Sequence, residues 1–75
     1  MKFKPLFSKD LYYARENLKF TQAEVAEKVD ISERSYQYIE KGETIPHGDT
    51  LLKLIYLFDL DIDRYREALG MPKRE

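Results

Sequence analysis

The sequence contains no cysteine and only one histidine among its 75 residues. Without cysteine there is no disulfide framework, no thiolate metal site and no cysteine nucleophile. The three glycines are scattered, so no glycine-rich loop is available to cradle a phosphate group. No nucleophile and base stand in a recognisable catalytic pattern either. We therefore expect a protein that is not an enzyme and that has no cofactor and no metal site.

Long apolar runs are also missing. No stretch approaches the roughly 18 residues of a membrane-spanning helix, and the opening MKFKPLF is too short for the apolar core of a signal peptide. We therefore expect no membrane association and a cytoplasmic location, in a bacterium or a phage-infected cell. The hydrophobic content of 43% and charged content of 36% are typical of one small folded domain. The net charge of −1 argues mildly against a nucleic-acid partner, because such domains are often strongly basic.

Apolar residues recur at helical spacing along most of the chain, and no strand pattern is present. We predict an all-α, compact domain of five short helices over residues 8–70. An extended arm over residues 1–7 precedes it, since Pro5 disfavours helical angles at the residue before it, and a tail over residues 71–75 follows. Ser8 is the expected N-cap of the first helix. The five helices are expected at residues 9–18, 22–29, 33–41, from 48 or 49 onward, and 62–69.

Residues 21–42, TQAEVAEKVDISERSYQYIEKG, form the most informative segment. Thr21 and Glu24 have the spacing of a capping box, and Ser32 is placed to cap a second helix. Asp30 lies in the short connection, where a residue that tolerates positive φ is needed. Two short helices across a tight turn are the layout of a helix-turn-helix, whose second helix enters the major groove of DNA.

The segment and its surroundings resemble the lambda-repressor-like, or Cro/XRE, helix-turn-helix family. The matching stretches are TQAEVAEKV, the IS turn, YIEKG and PHGDTLLKLIYLFDLD, and the resemblance covers about residues 8–69. Two positions depart from the family: Asp30 stands where glycine is usual, and Gly48 stands where an apolar residue is usual. The matching positions are Gln22, Ala26, Ile31, Tyr36, Ile39, Glu40 and Gly42.

The resemblance implies a role for each matching position. It implies that Arg15 and Glu40 form a partly buried ion pair that fixes the second helix of the motif. It implies that Gln22 binds a DNA phosphate, and that Arg34 reads guanine while Glu33 accepts from cytosine. The implied DNA-binding residues are Gln22, Ser32, Glu33, Arg34, Ser35, Gln37, Tyr38 and Lys41.

The function implied is that of a sequence-specific transcriptional regulator, most simply a repressor, acting on double-stranded DNA. A homodimer on a near-palindromic operator is expected, with part of the apolar surface of the last two helices as the dimer contact. The alternative is a protein-interaction module, such as the antitoxin of a toxin–antitoxin pair, which the acidic balance favours. The candidate dimer residues are Tyr56, Leu57, Phe58, Leu60 and Tyr65.

Overall fold

The computed structural model describes residues 2–71 and contains four α-helices, one 3-10 helix and no strand in that range. The all-α class is therefore confirmed, and the second, third and fourth helices lie close to their predicted positions. The helices are α1 Phe3–Leu18, α2 Gln22–Lys28, α3 Glu33–Glu40 and α4 Gly48–Phe58, and the 3-10 helix is Ile62–Tyr65.

The fifth α-helix expected at residues 62–69 is not present. The Asp61 side chain accepts a hydrogen bond from the backbone N–H of Asp63 at 3.1 Å, which caps the short helix. The next backbone bonds run from Arg64 to Asp61 and from Arg66 to Asp63, which is the three-residue step of a 3-10 helix. So short a segment does not recover the cost of nucleating an α-helix.

The first helix begins at Phe3 rather than at residue 9, so an extended arm is wrong for residues 3–7. Pro5 lies in the first turn, where its missing N–H has no helical partner to lose. Ser8 is not an N-cap: it lies inside the helix, and its hydroxyl donates to the Pro5 carbonyl at 3.1 Å. The helix extends because Leu6 and Phe7 become buried in the core, which outweighs the local stop signals.

Every helical segment contributes to one core. Phe3, Phe7 and Tyr65 bring their rings together, with centroid distances of 5.1–5.7 Å, and so join the start of α1 to the 3-10 helix. Phe58 and Tyr65, two of the five candidate dimer residues, lie in this core. The buried apolar side chains are Leu6, Phe7, Leu11, Val25, Ala26, Val29, Tyr36, Ile39, Leu54, Phe58 and Tyr65.

A residue with positive φ follows each of the four α-helices within two residues, and Gly70 has the same conformation beyond the 3-10 helix. In every case the next residue donates its N–H back to a carbonyl five positions earlier, which is the Schellman motif. Asp30, with φ of 61°, makes the α2–α3 turn in this way, so the expected positive φ is confirmed. The predicted tail beyond Met71, residues 72–75, lies outside the described residues, as does Met1. The positive-φ residues are Lys19, Asp30, Gly42, Asp59 and Gly70.

Candidate nucleic-acid interface

Side chains fix the start of both helices of the α2–α3 unit. The Thr21 hydroxyl accepts from the backbone N–H of Glu24 at 3.0 Å, and the Glu24 carboxylate accepts from the backbone N–H of Thr21 at 2.8 Å. These bonds hold the pKa of Glu24 below its ordinary value. At α3 the Ser32 hydroxyl accepts from the backbone N–H of Ser35 at 3.0 Å. The expected capping box and Ser32 cap are both confirmed.

Arg15 of α1 and Glu40 at the end of α3 form a two-pronged ion pair. Arg15 Nε donates to Glu40 Oε2 at 2.9 Å, and Arg15 Nη2 donates to Oε1 at 2.8 Å. The side chains are only 11% and 5% exposed. Arg15 Nη1 donates to the Phe20 carbonyl at 3.0 Å, just before α2. One guanidinium thus ties α1, the entry to α2 and the end of α3 together.

The pair is ionised despite its burial. The hydrogen bond to Glu40 raises the pKa of Arg15. Burial opposes ionisation of Glu40, but the hydrogen bonds and charge of Arg15 outweigh burial and hold the pKa of Glu40 below its ordinary value. Paired charges with several hydrogen bonds are tolerated in an interior where a single charge would not be.

The outward face of α3 carries two rows of polar side chains at helical spacing. In one row Gln37 Nε2 donates weakly to Glu33 Oε2 at 3.5 Å. In the other, Arg34 Nε donates to the Tyr38 hydroxyl at 3.2 Å, and Lys41 lies farther along the same row. The inward face of the helix carries the buried Tyr36 and Ile39. The structure therefore brings the residues expected to contact bases to one exposed face.

A family model described as helix-turn-helix matches residues 11–65, which include α2, α3 and α4. The chain belongs to the Cro/C1-type helix-turn-helix family, the XRE family. It is therefore a DNA-binding regulator in general terms, and its family is regulatory rather than enzymatic. No curated protein and no solved structure matches the chain. Within residues 2–71, none of the helices has both the length and the apolar character needed to cross a bilayer.

Gln22, the expected phosphate ligand of this XRE domain, has an internal contact that the sequence did not predict. Its Nε2 donates to Glu40 Oε1 at 3.3 Å, so Gln22 joins the Arg15–Glu40 pair. A side-chain amide has two N–H bonds, and the second remains for an outside acceptor. Residues 22 and 40 are far apart in the sequence, so only the packing of α2 against α3 brings them together.

Tyr36 lies fully buried behind the same pair. Burial first, and the neighbouring Glu40 carboxylate second, raise the pKa of Tyr36, so its hydroxyl stays protonated. Among the described residues, the hydroxyl has no hydrogen bond of ordinary geometry. Tyr36 thus anchors the inward face of α3 in the core, directly behind the Arg15–Glu40 pair.

Proposed function

We propose that this XRE-family protein is a sequence-specific transcriptional repressor that inserts α3 into the major groove of double-stranded DNA. The observation that carries the proposal is the division of α3 into a buried face and an exposed polar face. The major groove is about 12 Å wide and admits one α-helix. Donors and acceptors on the outer face of such a helix can reach the base edges.

The residue roles follow from the position of each side chain on that face. Arg34 offers donors that match guanine, and Glu33 offers an acceptor that matches the amino group of cytosine. Lys41 lies at the end of α3, where a phosphate contact is more natural than a base contact. In the proposal Ser35, Gln37 and Tyr38 border the base contacts, while Gln22, Ser32 and Lys41 hold the DNA backbone.

The Arg15–Glu40 pair supports the proposal because it fixes the orientation of α3. A reading helix must hold its side chains in register with the bases, and a small misplacement weakens several contacts together. The pair joins α3 to α1, and the Gln22 amide joins the same carboxylate to the start of α2. The Glu40 carboxylate thus links α3, which would contact the bases, to Gln22, which would contact a phosphate.

We further propose that the protein binds as a homodimer through α4. Leu52 and Tyr56 are one helical turn apart on α4, and Tyr56 is 81% exposed. A dimer places two reading helices about 34 Å apart on a near-palindromic operator. Arg34 and Lys41 share their surroundings with Glu33 and Glu43, so a monomer would gain little from phosphate attraction and would need its partner.

Repression is the simplest outcome of such binding. A protein that occupies an operator overlapping a promoter excludes the polymerase by bulk alone, whereas activation needs a further protein contact. DNA as the target also implies a cytoplasmic site of action in a bacterial or phage-infected cell.

The second candidate function is that of a module that binds another protein, for example as an antitoxin. The net charge of −1 and the exposed apolar residues of α4 favour this candidate.

In vitro selection from random duplex DNA tests the proposal directly. The full chain is expected to enrich a short inverted repeat, with binding that weakens as salt rises. Arg34→Ala is expected to abolish enrichment, whereas Lys9→Ala, an exposed change on α1, is the matched control and is expected to enrich the same repeat. If the wild type enriches no sequence, operator binding is wrong and a search for a protein partner becomes the next experiment.

A further inference from the structure

The contact between Arg34 and Tyr38 on the exposed face of α3 supports a sharper assignment. We infer that Tyr38 is a positioning residue that holds the guanidinium of Arg34 ready to bind guanine. The inference rests on the proposed function, because it concerns how the same face reads DNA. It gives Tyr38 an indirect role in place of a base contact of its own.

The atoms used by the contact leave the right atoms for guanine. Arg34 Nε donates to the Tyr38 hydroxyl oxygen at 3.2 Å. Within residues 2–71, no partner holds the two Nη atoms. The end of the guanidinium then offers two parallel N–H donors, the arrangement that matches O6 and N7 of guanine. The hydrogen bond therefore orients the side chain without consuming the donors that read the base.

The ring of Tyr38 adds to this support. The Arg34 guanidinium lies 5.8 Å from the ring centroid, and the Lys41 ammonium lies 6.0 Å from it. Both distances are within the range of attraction between a cation and an aromatic face. The ring therefore attracts two cations that would otherwise repel each other along the helix. Tyrosine suits this purpose because it has few rotatable bonds to restrain.

Tyr38 also has neighbours outside α3. Its side chain lines a groove of about 270 Å³ together with Ile39, Ile45 and Pro46, beside the start of α4. The residue is 36% exposed, so part of the side chain remains open to solvent beside Arg34. In the inference, the Tyr38 hydroxyl favours one orientation of the Arg34 guanidinium in the free protein. Pre-organisation of this kind raises affinity by lowering the entropy lost on binding.

A double-mutant cycle on the selected operator tests the inference. Tyr38→Phe removes the hydroxyl and keeps the ring, and Arg34→Ala removes the reading group. Each variant and the double variant are titrated against the operator and against duplexes in which the enriched guanine is replaced. Loss of one supporting hydrogen bond is expected to lower the guanine preference of Tyr38→Phe by about 3- to 10-fold. In the Arg34→Ala background the same change is expected to have no effect.

Two results overturn the inference. An equal loss from Tyr38→Phe with and without Arg34 means that the hydroxyl contacts DNA directly. An unchanged guanine preference in Tyr38→Phe means that the hydroxyl does not position Arg34. Both variants are compared with the wild type by thermal melting, and no change is expected because the hydroxyl and guanidinium are exposed.

A readout on the free protein separates this inference from the proposed function. The Arg34 Nε–H resonance is expected to shift and exchange faster with water in Tyr38→Phe than in the wild type. If the Arg34 Nε–H resonance is the same in Tyr38→Phe as in the wild type, the hydrogen bond on which the inference rests does not form in solution. If the wild type selects no operator while this resonance does shift, the proposed function fails although the contact exists, and the reading role assigned to Tyr38 fails with it.

Discussion

At the scale of single residues, the Arg15–Glu40 pair is the feature on which most of the candidate site depends. Removing two charges from water is expensive, and their attraction repays this only when geometry and additional hydrogen bonds are favourable. Here the guanidinium has two bonds to the carboxylate and one to the Phe20 carbonyl, while Gln22 supplies a further donor to Glu40. Breaking one side therefore leaves several polar atoms without partners.

We expect Glu40→Leu to lower the free energy of unfolding by about 3 kcal/mol, because Arg15 is left as a buried charge without a counter-ion. Urea denaturation followed by circular dichroism measures the loss. The double variant Arg15→Met/Glu40→Leu is expected to be more stable than Glu40→Leu alone, since it leaves no such charge. Losses that simply add would show that the two side chains do not stabilise each other.

The same pair predicts how stability depends on pH. The pKa of Glu40 is lowered on folding from an unfolded value near 4.5. A lowered pKa means that the ionised form stabilises the fold above that value, and that this contribution is lost as pH falls through the folded-state pKa. We expect the stability difference between wild type and Glu40→Gln to shrink steadily as acid is added below about pH 4.5. Denaturation curves at a series of pH values measure it, and a constant difference contradicts the assignment.

At the scale of elements, the first turns of α1 belong to the core and are not a separate arm. Phe7 is 2% exposed and lies against Tyr65, whereas Tyr13 on the same helix is 55% exposed. We expect Phe7→Ala to lower the free energy of unfolding by about 3–5 kcal/mol, as in other large core truncations. Tyr13→Ala is the matched control and is expected to change it by less than about 1 kcal/mol. Similar effects of the two changes would mean that the start of α1 is not packed.

The elements differ in how far the sequence could predict them, and the difference is one of range. The α2–turn–α3 unit was predictable because its signals are local: a capping box, a serine cap and Asp30 at the turn. The start of α1 was not, because Pro5 and Ser8 act locally whereas the burial of Phe7 depends on Tyr65 at the other end of the chain. In the candidate site, the contact of Arg34 with Tyr38 follows from helical spacing, but that of Gln22 with Glu40 requires the tertiary packing.

The turns that end the helices yield a further prediction. Lys19 has a φ of 60°, a conformation in which a side chain is strained and glycine is not. We expect Lys19→Gly to raise the free energy of unfolding by about 0.5–1 kcal/mol, measured by thermal melting. Lys9→Gly, an exposed change within α1, is the control and is expected to lower it by a similar amount. The strain argument fails if both substitutions destabilise the protein equally.

At the scale of the whole molecule, the low charge makes assembly central to the proposed function. With a net charge of −1, the chain as a whole is not attracted to DNA. Affinity then has to come from well-placed contacts, and a two-fold dimer doubles their number without any change in the monomer. Exposed apolar side chains on α4 offer a surface for that contact, and Tyr56 is the most exposed of the large ones.

We expect Tyr56→Glu to shift the protein from dimer to monomer, because it places a charge where the proposed partner would bury an apolar ring. Sedimentation at a series of concentrations measures the shift. Tyr13→Glu is the matched control, since it makes the same change at an exposed tyrosine on α1, and it is expected to leave the dimer intact. On the selected operator, Tyr56→Glu is expected to bind a single half-site as the wild type does and to lose the tighter binding to the inverted repeat. If Tyr56→Glu remains a dimer, the dimer contact does not lie on α4. If the wild type is monomeric at every concentration, two copies can come together only on the DNA.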